Sequence, residues 1–324
     1  MVVTWNSAEE IVGLIESARR LLPGVCDFVF VDNASQDDTV SVIRQLAPES
    51  EVVELEDNIG FGPANNIGVR EATNDVVILL NPDTVLVDRS LIDLAELART
   101  ERALFVPRLL NADGSWQISA RPALASLPSA LISVWPGPWM PRLLRERCEP
   151  WRFDTRLAAG WVSGACLAAQ RSLLLEFGPF DERLQLYGED ADLSMRGWKA
   201  GVPSISAPDV ARVMHVGGRS ATRAFDDFGL DRKVRVRWWL VNEHHGPLRG
   251  RLDLAAEFLL YGTRWAAKRA LLRPAQNEAQ WLRVASRMAL SRPPSQPPRL
   301  PSTTIRATAA HVEPMDGPNQ AADG

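Results

Sequence analysis

The 324-residue chain is short of cysteine, of long apolar runs and of net charge, and each shortage removes a class of function. Its three cysteines, Cys26, Cys148 and Cys166, stand far apart with no Cys-x-x-Cys spacing. That excludes a disulfide framework and a thiolate zinc site, and it fits a reducing compartment. No apolar run reaches the ~18 residues that cross a bilayer, and no signal-peptide pattern opens the chain. The expectation is a cytoplasmic protein that meets a membrane, if at all, from its surface. A formal net charge of −4 leaves no basic footprint for nucleic acid. There is no internal repeat. What remains, 46% apolar and 23% charged residues, is ordinary for a globular chain of one large or two small domains.

The first hundred residues alternate apolar runs with amphipathic ones. Strands are expected at Val2–Thr4, Val25–Val31, Val52–Leu55, Asp75–Leu80 and Ala103–Val106. Helices are expected over Ser7–Leu22, from a cap at Ser35, over Pro63–Ala72 and near Ser90–Arg99. The first strand is a stub directly after Met1, which suggests that the true start lies a few residues upstream. Strands separated by helices of this length make right-handed βαβ units and a mostly parallel sheet with flanking helices. Ligands bind beyond the carboxyl ends of such strands. Thr4-Trp5-Asn6, Asp32-Asn33, Asp57-Asn58 and Asn81-Pro82-Asp83 all fall at those ends.

Residues 121–152 have no clean period and read as an irregular crossing segment. Trp161–Ala169 reads as one further strand, followed by a helix at Arg171–Phe177 and another that opens at Tyr187-Gly188-Glu189-Asp190-Ala191-Asp192. Residues 226–290 form a helical C-terminal extension carrying Trp238-Trp239 and an apolar and basic stretch, Leu252–Leu272. The tail, 291–324, holds seven prolines and is expected to be disordered. The expected division is therefore 1–225, 226–290 and 291–324.

Several residues could carry chemistry, each with a plainer alternative. Asp83 suits a hard cation that bridges phosphates, and Asn-Pro-Asp-Thr is also good turn chemistry. Asp32 can accept hydrogen bonds from a ribose or base, or cap the helix after it. Gly60-Phe61-Gly62-Pro63-Ala64-Asn65 lacks the last glycine of a dinucleotide loop and follows the third strand, so a tight turn fits better, with Asn58, Asn65 and Asn66 as polar contacts. Glu189, Asp190 and Asp192 form the densest acidic cluster. Asp190 in a first helical turn could be a general base or a stabiliser of the helix terminus. His215, among glycines and beside Arg219 and Ser220, could be a metal ligand, a phosphate donor or structural.

Taken in order, these segments resemble the family 2 glycosyltransferases. The resemblance runs through Val2-Val3-Thr4-Trp5-Asn6-Ser7, Val31-Asp32-Asn33-Ala34-Ser35, Asn58-Ile59-Gly60-Phe61 and Ala64-Asn65-Asn66-Ile67-Gly68. It continues through Leu80-Asn81-Pro82-Asp83-Thr84, Trp161-Val162-Ser163-Gly164-Ala165, Tyr187-Gly188-Glu189-Asp190 and His215-x-x-Gly218-x-Ser220. It covers residues 1–225 and looks most like a bacterial rhamnosyltransferase-type branch. It implies a GT-A fold, α/β and Rossmann-like, and inverting transfer of a sugar, rhamnose from a dTDP-sugar in that branch, with Mg or Mn as divalent metal. By the same resemblance Thr4, Trp5, Asp32, Asn58 and Asn65 are nucleotide-binding, and Asp83 and His215 are metal ligands. Asp190 is the catalytic base, while Asn81, Trp161, Gly164 and Glu189 face sugar or acceptor. Asn81 stands where the family's motif has its first Asp, which removes one charge from the cage. The implied partners are a nucleotide diphosphate sugar and a saccharide or polyprenyl-linked acceptor in cell-envelope polysaccharide synthesis, with peripheral membrane contact. Two other classes compete. A nucleotidyltransferase would need a Gly-rich loop with Lys or Arg near the first strand, which Thr4–Ile11 lacks. A nucleotide-sugar-binding module without transfer activity would keep Asp32 and Asp83 but not need Asp190.

Overall fold

The computed structural model describes residues 1–134, 140–217, 229–289 and 291–298. Arg219 and Ser220 and most of the expected disordered tail lie outside the described residues. The chain runs β1 (Val2–Thr4), α1 (Glu10–Leu21), β2 (Val29–Asp32), α2 (Thr39–Leu46), β3 (Glu51–Glu54), α3 (Phe61–Glu71), β4 (Val76–Leu80), β5 (Thr84–Leu86), α4 (Leu91–Thr100), β6 (Leu104–Val106) and β7 (Arg108–Leu110). It continues through β8 (Ala120–Arg121), α5 (Leu127–Val134), α6 (Arg142–Cys148), β9 (Leu157–Ala159), β10 (Trp161–Val162), β11 (Cys166–Gln170), α7 (Arg171–Phe177), α8 (Glu189–Lys199), β12 (Ser204–Ser206) and β13 (Arg212–His215). Three helices follow: α9 (Gly229–His245), α10 (Pro247–Ala270) and α11 (Gln276–Ala289).

Eight strands form the main sheet in the order β3-β2-β1-β4-β11-β6-β12-β9. The pairings β3–β2–β1–β4 are parallel, as βαβ crossovers require, and β11 enters antiparallel between β4 and β6. A small sheet, β5-β13-β7, stands beside it. Alternate side chains of the main sheet feed two cores. Val2, Phe30, Leu80 and Phe105 pack on Ile11, Leu14, Ile43 and Leu94; Val3, Val31, Leu79 and Val106 pack on Ala64, Val69, Leu174 and Leu193. Helices on both faces leave the strand ends as the open ground for a site.

The helical extension docks through adjacent tryptophans that part company. Trp239 joins Ala191 and Met195 of α8, while Trp238 joins Leu254, Trp281 and Met288 of α10 and α11. Neighbours on a helix point to different faces, so one dipeptide serves two interfaces.

Three local expectations differ from the structure. Ser35 does not cap a helix: its amide and hydroxyl both donate to Asp32, and α2 starts at Thr39, whose amide is held by Asp37. The segment 121–152 is not irregular throughout but holds α5, of eight residues with Pro128 inside it, and α6, of seven residues, each too short to show a period. The expected strand Trp161–Ala169 is broken at Ser163–Ala165, where the chain bends into the site edge and Asn81 N donates to Ala165 O at 2.9 Å.

Candidate active site

One cleft of about 300 Å³ opens at the carboxyl ends of β1 and β4 and the amino end of the antiparallel β11. Nine of the expected residues line it: Thr4, Trp5, Asn58, Asn81, Asp83, Gly164, Glu189, Asp190 and His215. Asp32, Asn65 and Trp161 do not.

The first wall is a closed hydrogen-bond web. Thr4 Oγ1 donates to Asp32 Oδ1 at 2.9 Å, and Ser35 satisfies both Asp32 oxygens at 2.6 and 2.9 Å. Asp32 is buried behind Thr4, so its visible task is to brace the two strand ends. Asn33, its neighbour, lines the cleft instead, donating to Asn58 Oδ1 at 2.9 Å and accepting from Ile59 N. Gly60 sits at φ +99° with Gln185 O 2.7 Å from where a Cβ would be, so the turn under Asn58 needs glycine. Asn65 is buried and donates to Phe61 O of its own helix, which takes it out of the cleft.

The second wall is the loop after β4. Thr84 N and Oγ1 both donate to Asn81 O, closing a turn around Pro82. That turn uses the Asn81 carbonyl and leaves the Asp83 carboxylate aimed at β13, where His215 pairs with Thr84. His215 Nε2 lies 3.2 Å from Asp83 Oδ1 and 3.2 Å from Asn81 Nδ2. Its Nδ1 lies 2.7 Å from Gln117 Oε1, and Gln117 Nε2 donates to Asn111 Oδ1 and His215 O. Because the Gln117 amide nitrogen is spent on those oxygens, its Oε1 accepts from Nδ1–H, which leaves the Nε2 lone pair facing Asp83. Asn81 Oδ1 is buried without a partner. Carboxylate oxygen, imidazole nitrogen and an orphaned amide oxygen are donors that suit Mg or Mn. Among the described residues no three His, Cys, Asp or Glu side chains gather as a complete metal cage.

The third wall is the start of α8. Tyr187 (φ +66°) and Gly188 (φ +85°) turn the chain sharply into it. A Cβ on Gly188 would stand 2.5 Å from Val236 of α9, so glycine is required on both counts. Asp190 Oδ1 accepts from Ala191 N at 2.8 Å, and Oδ2 from Gly164 N at 3.4 Å, which is the job the broken β10–β11 segment does. Burial pushes the Asp190 carboxyl up to about 6. Glu189 is pushed further, to about 8, by burial and then by the Asp190 charge, and its Oε2 has no hydrogen-bond partner. Near neutrality the pair therefore carries one proton, on the deeper Glu189, and Asp190 faces the cleft as a carboxylate. Arg232 of α9 lends Glu189 some positive field while donating to Leu186 O.

Trp161 lies away from the cleft, packed against the cluster that joins α8 to α9. Two contributors had no signal in the sequence: Gln117 meets His215 across 98 residues, and Arg232 arrives from the helical extension. Asn33 stood in a strand-end polar run but was not singled out from its neighbour Asp32.

The family model for glycosyl transferase family 2 matches residues 1–160. An N-acetylglucosaminyl-diphospho-decaprenol L-rhamnosyltransferase of Mycobacterium tuberculosis is 28% identical over 299 residues, 84% of this chain and 96% of the relative. The solved mannosyltransferase PcManGT of Pyrobaculum calidifontis, in complex with GDP-Man and Mn2+, superposes with a TM-score of 0.52 at 20% identity, covering 90% of this chain and 80% of that one. GalNAc-T7 with UDP, GalNAc and Mn2+ gives 0.52 at 18% identity over 74% of this chain and 50% of that one. The fold they share with this chain is GT-A, with the mostly parallel sheet and flanking helices described above. Residues 1–160 are thus similar to glycosyl transferase family 2, and 84% of the chain is similar to a rhamnosyltransferase.

Proposed function

We propose that the protein is a metal-dependent, inverting glycosyltransferase that moves a sugar from a nucleotide diphosphate donor to a lipid-linked saccharide at the cytoplasmic face of the cell membrane. Rhamnose from a dTDP-sugar is the preferred donor reading, because the mycobacterial relative's name specifies an L-rhamnosyl group and a diphospho-decaprenol acceptor. The observation that carries the proposal is one cleft whose walls hold Asp83 with His215 on one side and the raised Asp190 on another.

In this reading Trp5, Asn33 and Asn58 receive the nucleotide, with Asp32 bracing Thr4 behind them. Asp83, His215 Nε2 and Asn81 Oδ1 would hold the divalent ion, which supplies charge neutralisation for the leaving diphosphate. Gln117 keeps the His215 lone pair on that side. The acceptor hydroxyl oxygen attacks the anomeric carbon as the bond to the diphosphate oxygen breaks, inverting the centre and releasing the nucleoside diphosphate. Its proton passes to Asp190, ionised and held by the Ala191 and Gly164 amides. A carboxylate is a weak base for an alcohol, so the transfer is late and concerted. Neutral Glu189 beside it can donate a hydrogen bond to an acceptor oxygen without adding repulsion.

The test is a panel of nucleotide sugars scored first for metal-dependent thermal stabilisation and then for hydrolysis or transfer. A stabilising donor whose transfer vanishes in Asp190→Asn, with stabilisation retained, is the expected result. Transfer at a near-normal rate in that variant would remove Asp190 from the role of base.

A further inference from the structure

The outer face of α10 carries a row of exposed leucines. Leu248, Leu252 and Leu259 are 74%, 62% and 66% exposed, and by helical spacing they form one stripe with Ala255 and Ala266. Arg251 and Arg269 share one edge of that stripe with the exposed Phe258 and Trp265. The helix has two acids, Asp253 and Glu257, and both turn inward to Arg237 of α9, at 2.8 and 3.4 Å. Every exposed ionisable residue of α10 (Arg249, Arg251, Arg264 and Arg269) is therefore basic, on a chain whose net charge is −4. The buried Leu254 and Leu260 already serve the interior, so the exposed leucines are surplus to the fold. The neighbouring α5, packed against α10, exposes Leu127 as well.

We infer that this face of α10 is the surface on which the protein lies against an anionic bilayer. The inference rests on the lipid-linked acceptor reading above and names the surface that would serve it. A leucine stripe edged by arginines and large aromatics is the make-up of an interfacial helix, in which the apolar side enters the acyl boundary and the arginines meet lipid phosphates. No helix among the described residues is long and apolar enough to cross a membrane, so α10 would lie on the surface. A second copy of the chain fits less well, because a two-fold contact through this face would set the same arginines against each other. The placement also suits catalysis. Arg237, which holds α10, is one residue from Val236, and Val236 presses on Gly188 at the start of the Asp190 helix. A single helix, α9, thus separates the bilayer face from the catalytic wall.

Flotation of the full-length protein with vesicles of phosphatidylcholine, alone or mixed with phosphatidylglycerol, tests the surface. Binding to the phosphatidylglycerol vesicles that weakens with salt is expected. Leu252→Glu with Leu259→Glu should lower the bound fraction more than about ten-fold, and Arg251→Glu with Arg269→Glu should do the same. Both variants should keep wild-type donor-induced thermal stabilisation and wild-type transfer to a water-soluble acceptor analogue, while transfer to an acceptor embedded in vesicles falls. Failure of wild type to float, or equal flotation of the variants, overturns the surface. So does a solution dimer that Leu252→Glu with Leu259→Glu splits, which would make a second copy the occupant. Donor stabilisation without flotation defeats this inference alone; flotation without donor stabilisation defeats the transferase reading alone.

Discussion

The wall at the ends of β1 and β2, proposed to receive the donor nucleotide, and the wall at the start of α8, proposed to face the acceptor, are built on opposite plans. Around β1 and β2, Thr4, Asp32, Ser35, Asn33 and Asn58 satisfy one another, and the web would be as complete in an empty cleft as in a filled one. At the start of α8 the polar groups are left wanting. Glu189 Oε2 and an Arg232 guanidinium nitrogen are buried without partners, Tyr187 is held in a left-handed conformation, and two adjacent carboxyls are raised. The loop carrying Asn81 and Asp83 sits between the two, with a closed turn and one orphaned amide oxygen. Hydrogen-bonded saturation gives rigidity; unsatisfied burial stores an electrostatic bias that a ligand can discharge. A preformed donor platform and a poised acceptor wall follow from that difference.

The sharpest way to break the contrast is to remove charge from each wall in turn. Asp190→Asn should lower turnover by about 10²–10⁴-fold, the usual worth of a positioned base, with donor affinity almost unchanged. Asp32→Asn should instead act on stability, because both of its oxygens accept hydrogen bonds from Thr4 and Ser35 and the amide can accept with only one of its two heavy atoms. Steady-state kinetics beside thermal melts separates the two, and a large turnover loss in Asp32→Asn with unchanged stability would contradict the bracing role.

The contrast also predicts opposite pH trends for activity and stability. The proposed base role requires Asp190 ionised, so kcat/KM should rise with pH through about 6, where burial has placed its carboxyl. Stability runs the other way. A carboxyl raised on folding favours the fold below its ordinary value, and that contribution is lost as pH rises through the raised one. The substrate-free protein should therefore lose stability between about pH 4 and about 8, as first Asp190 and then Glu189 ionise. Glu189→Gln should melt higher than wild type at about pH 9 and much like it near pH 5. A wild type whose melting point rises steadily over that range would refute the raised pair.

How much of this could be read in advance divides along the same line. The donor wall was legible: short strand-end polar runs such as Asp32-Asn33 and Asn81-Pro82-Asp83 declare themselves because each follows an apolar strand. The parallel pairing of the strands up to β4 was implied by the same alternation. The antiparallel insertion of β11 was not, and that is why Trp161–Ala169 read as one strand although its break at Ser163–Ala165 supplies the Gly164 amide to Asp190. Asp32 and Asn65 were expected at the nucleotide from strand-end position and motif resemblance, neither of which says whether a side chain points outward or is spent on a neighbour. The acceptor wall depends on long-range contacts, Arg232 and Val236 from α9 among them, whose positions no local pattern encodes.

Gln117 gives a smaller, more specific test. Its side chain hydrogen-bonds to His215 and Asn111, and its effect on the cleft is to hold Nδ1–H so that Nε2 faces Asp83. Gln117→Leu should weaken the metal dependence of donor stabilisation by about 10–100-fold, the usual cost of losing an outer hydrogen bond to a liganding histidine. Melting of the metal-free protein should barely move. Saturating Mn should restore most of the activity, whereas Asp83→Ala should not recover at any metal concentration.

The smallest effect is expected where the web is most redundant. Thr4→Val keeps the shape of β1 and removes one hydroxyl that donates to Asp32 Oδ1, an oxygen that Ser35 Oγ also reaches at 2.6 Å. The loss should be about 1 kcal/mol of stability, read from a denaturation midpoint, because the carboxylate keeps two other donors. Donor affinity should fall only slightly, since the rigid frame persists through the Val2–Thr4 pairing with Phe30–Asp32. If Thr4→Val instead cost donor affinity ten-fold while stability held, the hydroxyl would have to leave Asp32 to meet the nucleotide. The donor wall would then rearrange on binding, and the contrast with the acceptor wall would lose its basis.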